Sequence, residues 1–307
     1  VRTRSIGSLS VSVVGVGCNN FGSRLDEAAS AAVVHAALEA GVTLFDTADV
    51  YGGSKSEPFL GRALGSRREE AVVATKFGMP TSDGLGGAAP DYVRRACDDS
   101  LRRLGTDRID LYQLHAPDDT VPVAETLAAL LELQHAGKVR EVGCSNFSAA
   151  QLDEAASTTG DVARFRSVQN QFSLLYRAPE EDGVLDACDR LGLAFLPYYP
   201  LANGLLTGKV HRGEAPPAGT RLANAPEERR TYWLAEDKLD VVEALRARAA
   251  SHGLSMLALA FSWLLAHPQV ASVIAGASSP EQVRANADAA RELPGTVLDE
   301  LDALETA

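Results

Sequence analysis

Eight times along this chain a short apolar run is followed by a stretch of helical length, with short links between them. The runs are "SVVGVG", "TLF", "AVVAT", "IDLYQL", "VREVG", "SVQNQ", "LAFLP" and "ASVIA". Alternating βα units imply a parallel sheet covered by helices. Eight of them in 307 residues predict a closed (β/α)8 (TIM) barrel, a fold that typically occupies about 250 residues. No composition shift, internal repeat or low-complexity tract divides the chain, so one domain over residues 1–307 is expected. The competing architecture is a doubly wound open sheet. Its dinucleotide fingerprint needs three glycines, and "GVGCNNFG" supplies Gly15 and Gly17 but Asn20 in the third place. "GLLTGK" fails as a P-loop because only three residues separate Gly204 from Gly208.

Local signals agree with the alternation. Asp26 is placed to cap a helix that Gly41 stops, and Ser56 to cap another with Pro58 in its first turn and Gly65 after its end. Asp91 opens a third, in which Val93, Cys97, Leu101 and Leu104 recur at helical spacing before Gly105. From Ala202 to about Ala235 the rhythm fails. The stretch, after the seventh strand, is rich in Gly, Pro, Arg and Glu without periodicity, and a loop of that length is uncommon unless functional or disordered.

Composition excludes several roles. A formal charge of −12 argues against a nucleic-acid partner, which needs a basic face. No apolar run reaches the length of a membrane span, and "VRTRSIGSLS" lacks a signal-peptide core, so a cytoplasmic protein without membrane contact is expected. Cys18, Cys97, Cys144 and Cys188 are scattered and read as reduced thiols. None of the six histidines forms an HxH or HExxH pair, against a metal hydrolase.

In a barrel, the C-terminal strand ends share one rim, where active sites lie. Asp46 ends "TLF", Lys76 ends "VVAT" and His115 ends "LYQL", on the second, third and fourth strands, with Tyr51 in the loop after Asp46. Singly, each has a packing explanation; together they form a proton-handling set. A free phenol titrates near ~10, and a nearby ammonium favours the phenolate. Asp46 would hold Lys76 charged, Tyr51 would protonate an oxygen that becomes an alkoxide, and neutral His115 would hydrogen-bond that oxygen. The set has no nucleophile and no metal, so it needs an electron source.

At these residues the chain resembles the aldo-keto reductase superfamily. "FDTADVYGGSKSE", "VVATKFG", "IDLYQLHAPD" and "GCSNF" stand in family order across nearly the whole chain, most like the branch holding potassium-channel β-subunits and bacterial reductases. The resemblance implies a catalytic tetrad of Asp46, Tyr51, Lys76 and His115, an N-terminal β-hairpin, and hydride from a bound nicotinamide. Channel-subunit relatives carry asparagine where His115 stands.

The resemblance also implies where the cofactor lies. Ser145, Asn146 and Gln169 would hydrogen-bond the nicotinamide carboxamide, and Tyr198 would stack under the ring. Beside it run Tyr199, Pro200 and Leu201, with Tyr199 replacing the usual serine. Cys18 and Asn19 would touch the cofactor by backbone, with Arg24 reaching the same side. For the phosphates, Gly276 and Ser278 precede a helix that Ser279 is placed to cap and Pro280 to open, a natural anion site. Gln282 and Asn286 match the adenosine-end pattern, Ala285 replaces a usual glutamate, and a usual lysine before Ser278 is missing. Lys209 and Arg221 match family positions that grip the pyrophosphate or 2′-phosphate, favouring NADPH/NADP+. Phe21, Tyr51, Phe77, Met79 and Trp233 are candidate walls of an apolar substrate pocket, and the irregular segment a partial lid.

The leading expectation is NADPH-dependent reduction of an aldehyde or ketone, with a small-molecule carbonyl as partner and a monomeric or homo-oligomeric state. The alternative is a cofactor-binding, redox-sensing subunit with little turnover, against which His115 argues. A cofactor-free barrel lyase or isomerase is a third class, since fold does not fix function.

Overall fold

The computed structural model describes residues 1–159 and 163–304. A hairpin of β1 (Thr3–Ile6) and β2 (Leu9–Ser12) comes first. The alternating units follow: β3 (Val14–Gly17), α1 (Glu27–Glu39), β4 (Leu44–Asp46), α2 (Ser56–Leu64), β5 (Val72–Phe77), α3 (Pro90–Leu104), β6 (Ile109–Leu114), α4 (Val123–His135), β7 (Val139–Ser145) and α5 (Ala149–Thr159). Next are β8 (Ser167–Gln169), α6 (Ala178–Glu181), α7 (Val184–Leu191) and β9 (Ala194–Phe195). The chain ends through α8 (Glu227–Trp233), α9 (Glu236–Ser251), α10 (Met256–Ala266), β10 (Val273–Gly276), α11 (Pro280–Ala289) and α12 (Gly295–Asp302).

Strands β3 to β10 form one parallel sheet in the order β10-β3-β4-β5-β6-β7-β8-β9. It closes on itself: Phe195 N donates to Gln269 O at 2.7 Å, Ala271 N to Phe195 O at 3.0 Å and Ile274 N to Pro197 O at 3.3 Å. The predicted barrel is therefore the observed one.

Strand alternation sorts side chains into two cores. Phe45, Val73, Phe77, Tyr112 and Val142 face outward and pack with Val34 of α1, Leu60 of α2, Val93 of α3, Leu130 of α4 and Trp263 of α10 in one buried cluster. Leu44, Ala74, Leu111, Leu196 and Ile274 face inward, where Ile6, Leu9 and Val11 of the hairpin join them. The hairpin thus plugs the N-terminal end of the barrel with apolar side chains. Its turn is tied down by Ser8 N donating to Glu141 Oε1 at 2.7 Å.

The capping expectations hold at two helices and fail at one. Asp26 Oδ1 accepts from Ala29 N at 2.8 Å, and Gly41 follows α1 with φ +75°. Ser279 caps α11 by accepting from Gln282 N. Ser56, however, is the first helical residue of α2; its hydroxyl donates to Cys18 O at 2.9 Å and lies 2.8 Å from Thr47 Oγ1. It is drawn into the loops above the strands because both partners lie there.

Segment 202–235 is less irregular than its composition suggests. It starts with 3-10 turns over Ala202–Thr207, broken at Asn203 and Gly204, and its end forms α8. Between them it is strapped to the loop after β3, with Arg24 Nη2 donating to Gly219 O at 2.6 Å and Arg221 Nη2 to Asn19 Oδ1 at 3.0 Å. No single helix among the described residues is long and apolar enough to cross a membrane.

Candidate active site

The register builds a polar layer two residues above the apolar one. Gly17 pairs with Asp46, Lys76 with Gln113, Gln113 with Gly143, and Ser145 with Gln169. Asp46, Lys76, Gln113, Ser145 and Gln169 therefore sit above Leu44, Ala74, Leu111, Gly143 and Ser167. Gly143 is closely packed here: a Cβ would lie 2.4 Å from Ser167 Oγ, 3.2 Å from Ser167 O and 3.3 Å from Gln113 Cγ, so these neighbours would have to give way.

Lys76 is the centre. Fully buried, it donates from Nζ to Asp46 Oδ2 at 2.6 Å, to Thr47 O at 3.1 Å and to Tyr51 Oη at 3.4 Å. The other carboxylate oxygen of Asp46 accepts from Gln169 Nε2 at 2.9 Å and Gln113 Nε2 at 3.2 Å. The carboxylate is thus held from three strands. Tyr51 is brought in by a turn that only glycine fits, because at Gly52 (φ +60°) a Cβ would lie 2.1 Å from Phe21 O. The rings of Tyr51 and His115 meet edge to face, with centroids 5.7 Å apart. All four predicted rim residues converge.

Their electrostatics differ in one respect from expectation. Burial acts to discharge Lys76, but Asp46 and Tyr51 more than offset it and hold the ammonium above its ordinary value. For Tyr51, burial outweighs the nearby ammonium, so the phenol is raised, not lowered. It is a protonated donor, kept so by desolvation. His115 is pushed down to about 3 by burial and by Lys76, so its ring is neutral at physiological pH, and its Nδ1 is buried without a partner.

Around this centre, Ser145 Oγ donates to Gln169 O at 2.6 Å. Asn146, in the left-handed region at φ +63°, donates from Nδ2 to His115 O at 2.9 Å and accepts from Tyr198 Oη at 2.8 Å. Tyr198 meets Tyr199 edge to face at 5.2 Å, and the Arg221 guanidinium lies 5.4 Å from the Tyr199 ring centroid. Pro200 is buried and Leu201 partly so. These residues do gather at the rim, although the Gln169 amide nitrogen is spent on Asp46.

For the residues expected to hold phosphates the picture is mixed. Cys18 is wholly buried, its N–H donating to Asp46 O at 2.8 Å, while Asn19 holds Arg221. Gly276 lies beside the loop after β3: a Cβ there would be 3.8 Å from Asn19 Oδ1 and 3.5 Å from Asn20 Nδ2. Ser278 N donates to Gln282 Oε1 at 2.9 Å, so these two bind each other, and Asn286 is buried on α11. Lys209 is exposed.

One of the candidate pocket walls lies elsewhere. Phe77 follows inward-facing Lys76 and so points outward, stacking on Tyr112 at 4.6 Å. Phe21 and Trp233 are buried. Met79 is 41% exposed. Gln113 was missed by the sequence reading. Its signal is the strand alternation that turns it inward, opposite Lys76.

A family model, described as the aldo/keto reductase family, matches residues 13–306. The chain belongs to that family. It is 32% identical over 293 residues to a probable voltage-gated potassium channel subunit beta of Oryza sativa subsp. japonica, covering 93% of this chain and 89% of the relative. It is 33% identical over 276 residues to the aldo-keto reductase yakc [NADP(+)] of Schizosaccharomyces pombe, covering 87% and 80%. Among solved structures, the holo form of an aldo-keto reductase of Bacillus halodurans superposes with a TM-score of 0.82 at 32% identity, covering 98% and 95%. This aldo/keto reductase is accordingly an oxidoreductase by family, with the (β/α)8 fold of its relatives.

Proposed function

We propose that this family member reduces aldehydes or ketones to alcohols, reversibly, with NADPH. The observation that carries the reading is the Lys76 ammonium, held 2.6 Å from Asp46 and 3.4 Å from the Tyr51 phenol under a neutral imidazole.

The rim fits a nicotinamide cofactor. Ser145, Asn146 and Gln169 cluster beside the tetrad with Tyr198, and Arg221 lies at the loop after β3. Ser145, Asn146 and Gln169 would hold the carboxamide and Tyr198 the ring face. Cys18, Asn19, Tyr199, Pro200, Leu201, Lys209, Arg221, Gly276, Ser278, Gln282 and Asn286 would hold the rest. Bound there, the cofactor would supply a hydride to the carbonyl carbon.

The chain's own groups handle the proton. Tyr51 donates its phenolic hydrogen to the carbonyl oxygen as negative charge develops there. Burial keeps that hydrogen in place until then, and Lys76 stabilises the phenolate left behind. Asp46, fixed by Gln113 and Gln169, keeps Lys76 charged and aimed. The His115 tautomer that leaves buried Nδ1 bare carries its N–H on Nε2, from which it steadies the substrate oxygen.

Likeness to a protein named as a potassium channel subunit supports a second reading, a cofactor-binding sensor with little turnover. A panel of carbonyl substrates including 4-nitrobenzaldehyde, with NADPH consumption as readout and NADH in parallel, decides between them. Turnover with NADPH is the expected result. Tight NADPH binding without consumption above background on any substrate would favour the sensor.

A further inference from the structure

Two residues before Tyr51, Asp49 is 2% exposed, and its carboxyl Oδ1 has no hydrogen-bond partner. A buried acceptor left without a donor is destabilising. Asp49 lines a cleft of about 180 Å³ between the Tyr51 loop, the loop after β5 and α3. The cleft lies beside the barrel, apart from the layer that holds Asp46 and Lys76.

The groups in it have been committed unevenly. Arg103 is spent on Glu57, Nε to Oε2 at 2.6 Å, and on Ser100 Oγ. Arg95 is exposed, its guanidinium 5.4 Å from the Tyr92 ring centroid. Asp83 and Asp99 add two further carboxylates, while Ser54 and Leu85 supply a hydroxyl and an apolar edge. The buried atom left without a partner is thus a carboxyl oxygen, on a chain of net charge −12. Among the described residues no group of three or more His, Cys, Asp or Glu is arranged to hold a metal ion.

We propose that this cleft is a second binding site, separate from the rim, for a small organic cation whose ammonium group hydrogen-bonds Asp49 Oδ1. The ammonium supplies the missing donor, and a short aliphatic tail fits against Leu85. An anion would face Asp49 unpaired, and a ligand without N–H donors would leave Oδ1 as it is.

Affinity is linked to pH. Burial and then Glu57 push the Asp49 carboxyl up to about 7, against Arg103, the Val50 amide and Lys76. Tyr92 and Tyr112 also face it, from α3 and β6. The cation binds the ionised form, so affinity rises with pH, roughly thirtyfold between about pH 5.5 and about pH 8.5.

The test is an amide-resolved NMR titration of the full chain with propylammonium chloride. It is run without cofactor or carbonyl, so its outcome is independent of the proposed reductase activity. Potassium chloride and tetramethylammonium chloride at matched ionic strength are the controls. The expected result is saturable shifts confined to the amides around Asp49–Ser54, with a Kd on the order of millimolar, weakened at the acid pH and lost in Asp49→Asn. Four results would overturn the site: no saturation, equal shifts from either control salt, no pH dependence in the wild type, or undiminished binding by a folded Asp49→Asn. If that variant does not fold, the wild-type pH series and the control salts decide alone.

Discussion

Two layers of one barrel interior, a single step of the strand pleat apart, behave in opposite ways. The lower layer of Leu44, Ala74 and Leu111 closes on the apolar hairpin residues Ile6, Leu9 and Val11. The upper layer replaces each with a polar group: Asp46 above Leu44, Lys76 above Ala74, Gln113 above Leu111. Same strands, same direction, same depth of burial; yet one holds the barrel shut and the other holds an ion pair against a phenol and an imidazole. The lesson is that burial alone does not define a core. A buried charge is tolerated here because Lys76 makes three contacts and Asp46 is held on both oxygens.

The comparison breaks most sharply at Lys76. Lys76→Met should lower kcat by about 10²–10⁴ and also cost about 3–5 kcal/mol of stability, because Asp46 is left buried and unpaired. Pairing it with Asp46→Leu should recover most of the stability and none of the turnover, which denaturation midpoints and steady-state rates would read together. One step down, Leu111→Ala should cost about 2–5 kcal/mol while folded molecules keep their kcat. A loss of kcat there at unchanged stability would mean that the layers are not separable.

The smallest effect concerns pH. Because His115 is held neutral down to about 3, the unfolded chain takes up its proton first as pH falls. The stability that His115 contributes is complete above its ordinary value near ~6.5 and is lost towards about 3. Relative to His115→Asn, the wild type should lose roughly 2 kcal/mol by about pH 5, measured by chemical denaturation. The pH profile of wild-type kcat should show no limb from this imidazole near neutrality.

Much of this was legible in the chain. Eight apolar runs named the eight barrel strands, and polar residues at their ends named the rim. What escaped had physical causes. Gln113 hid inside an apolar run, visible only once inward parity was tracked from Lys76. The same parity turns Phe77 outward, against its reading as a pocket wall. Ser56 looks like a helix cap, but its hydroxyl is claimed by Cys18 and Thr47 from loops distant in sequence. The direction of the Tyr51 shift depends on burial against charge, and no spacing of residues reports burial. Asp49 reads as one more loop acid until the structure shows its oxygen unpartnered.

The central claim, that Tyr51 hands its proton to a carbonyl being reduced at this rim, is tested most directly by single-turnover reduction of 4-nitrobenzaldehyde. Wild type and Tyr51→Phe, each loaded with NADPH, would be compared. The account predicts a rate lower by about 10²–10⁴ in the variant, at unchanged NADPH affinity. A near-normal rate in Tyr51→Phe would contradict it.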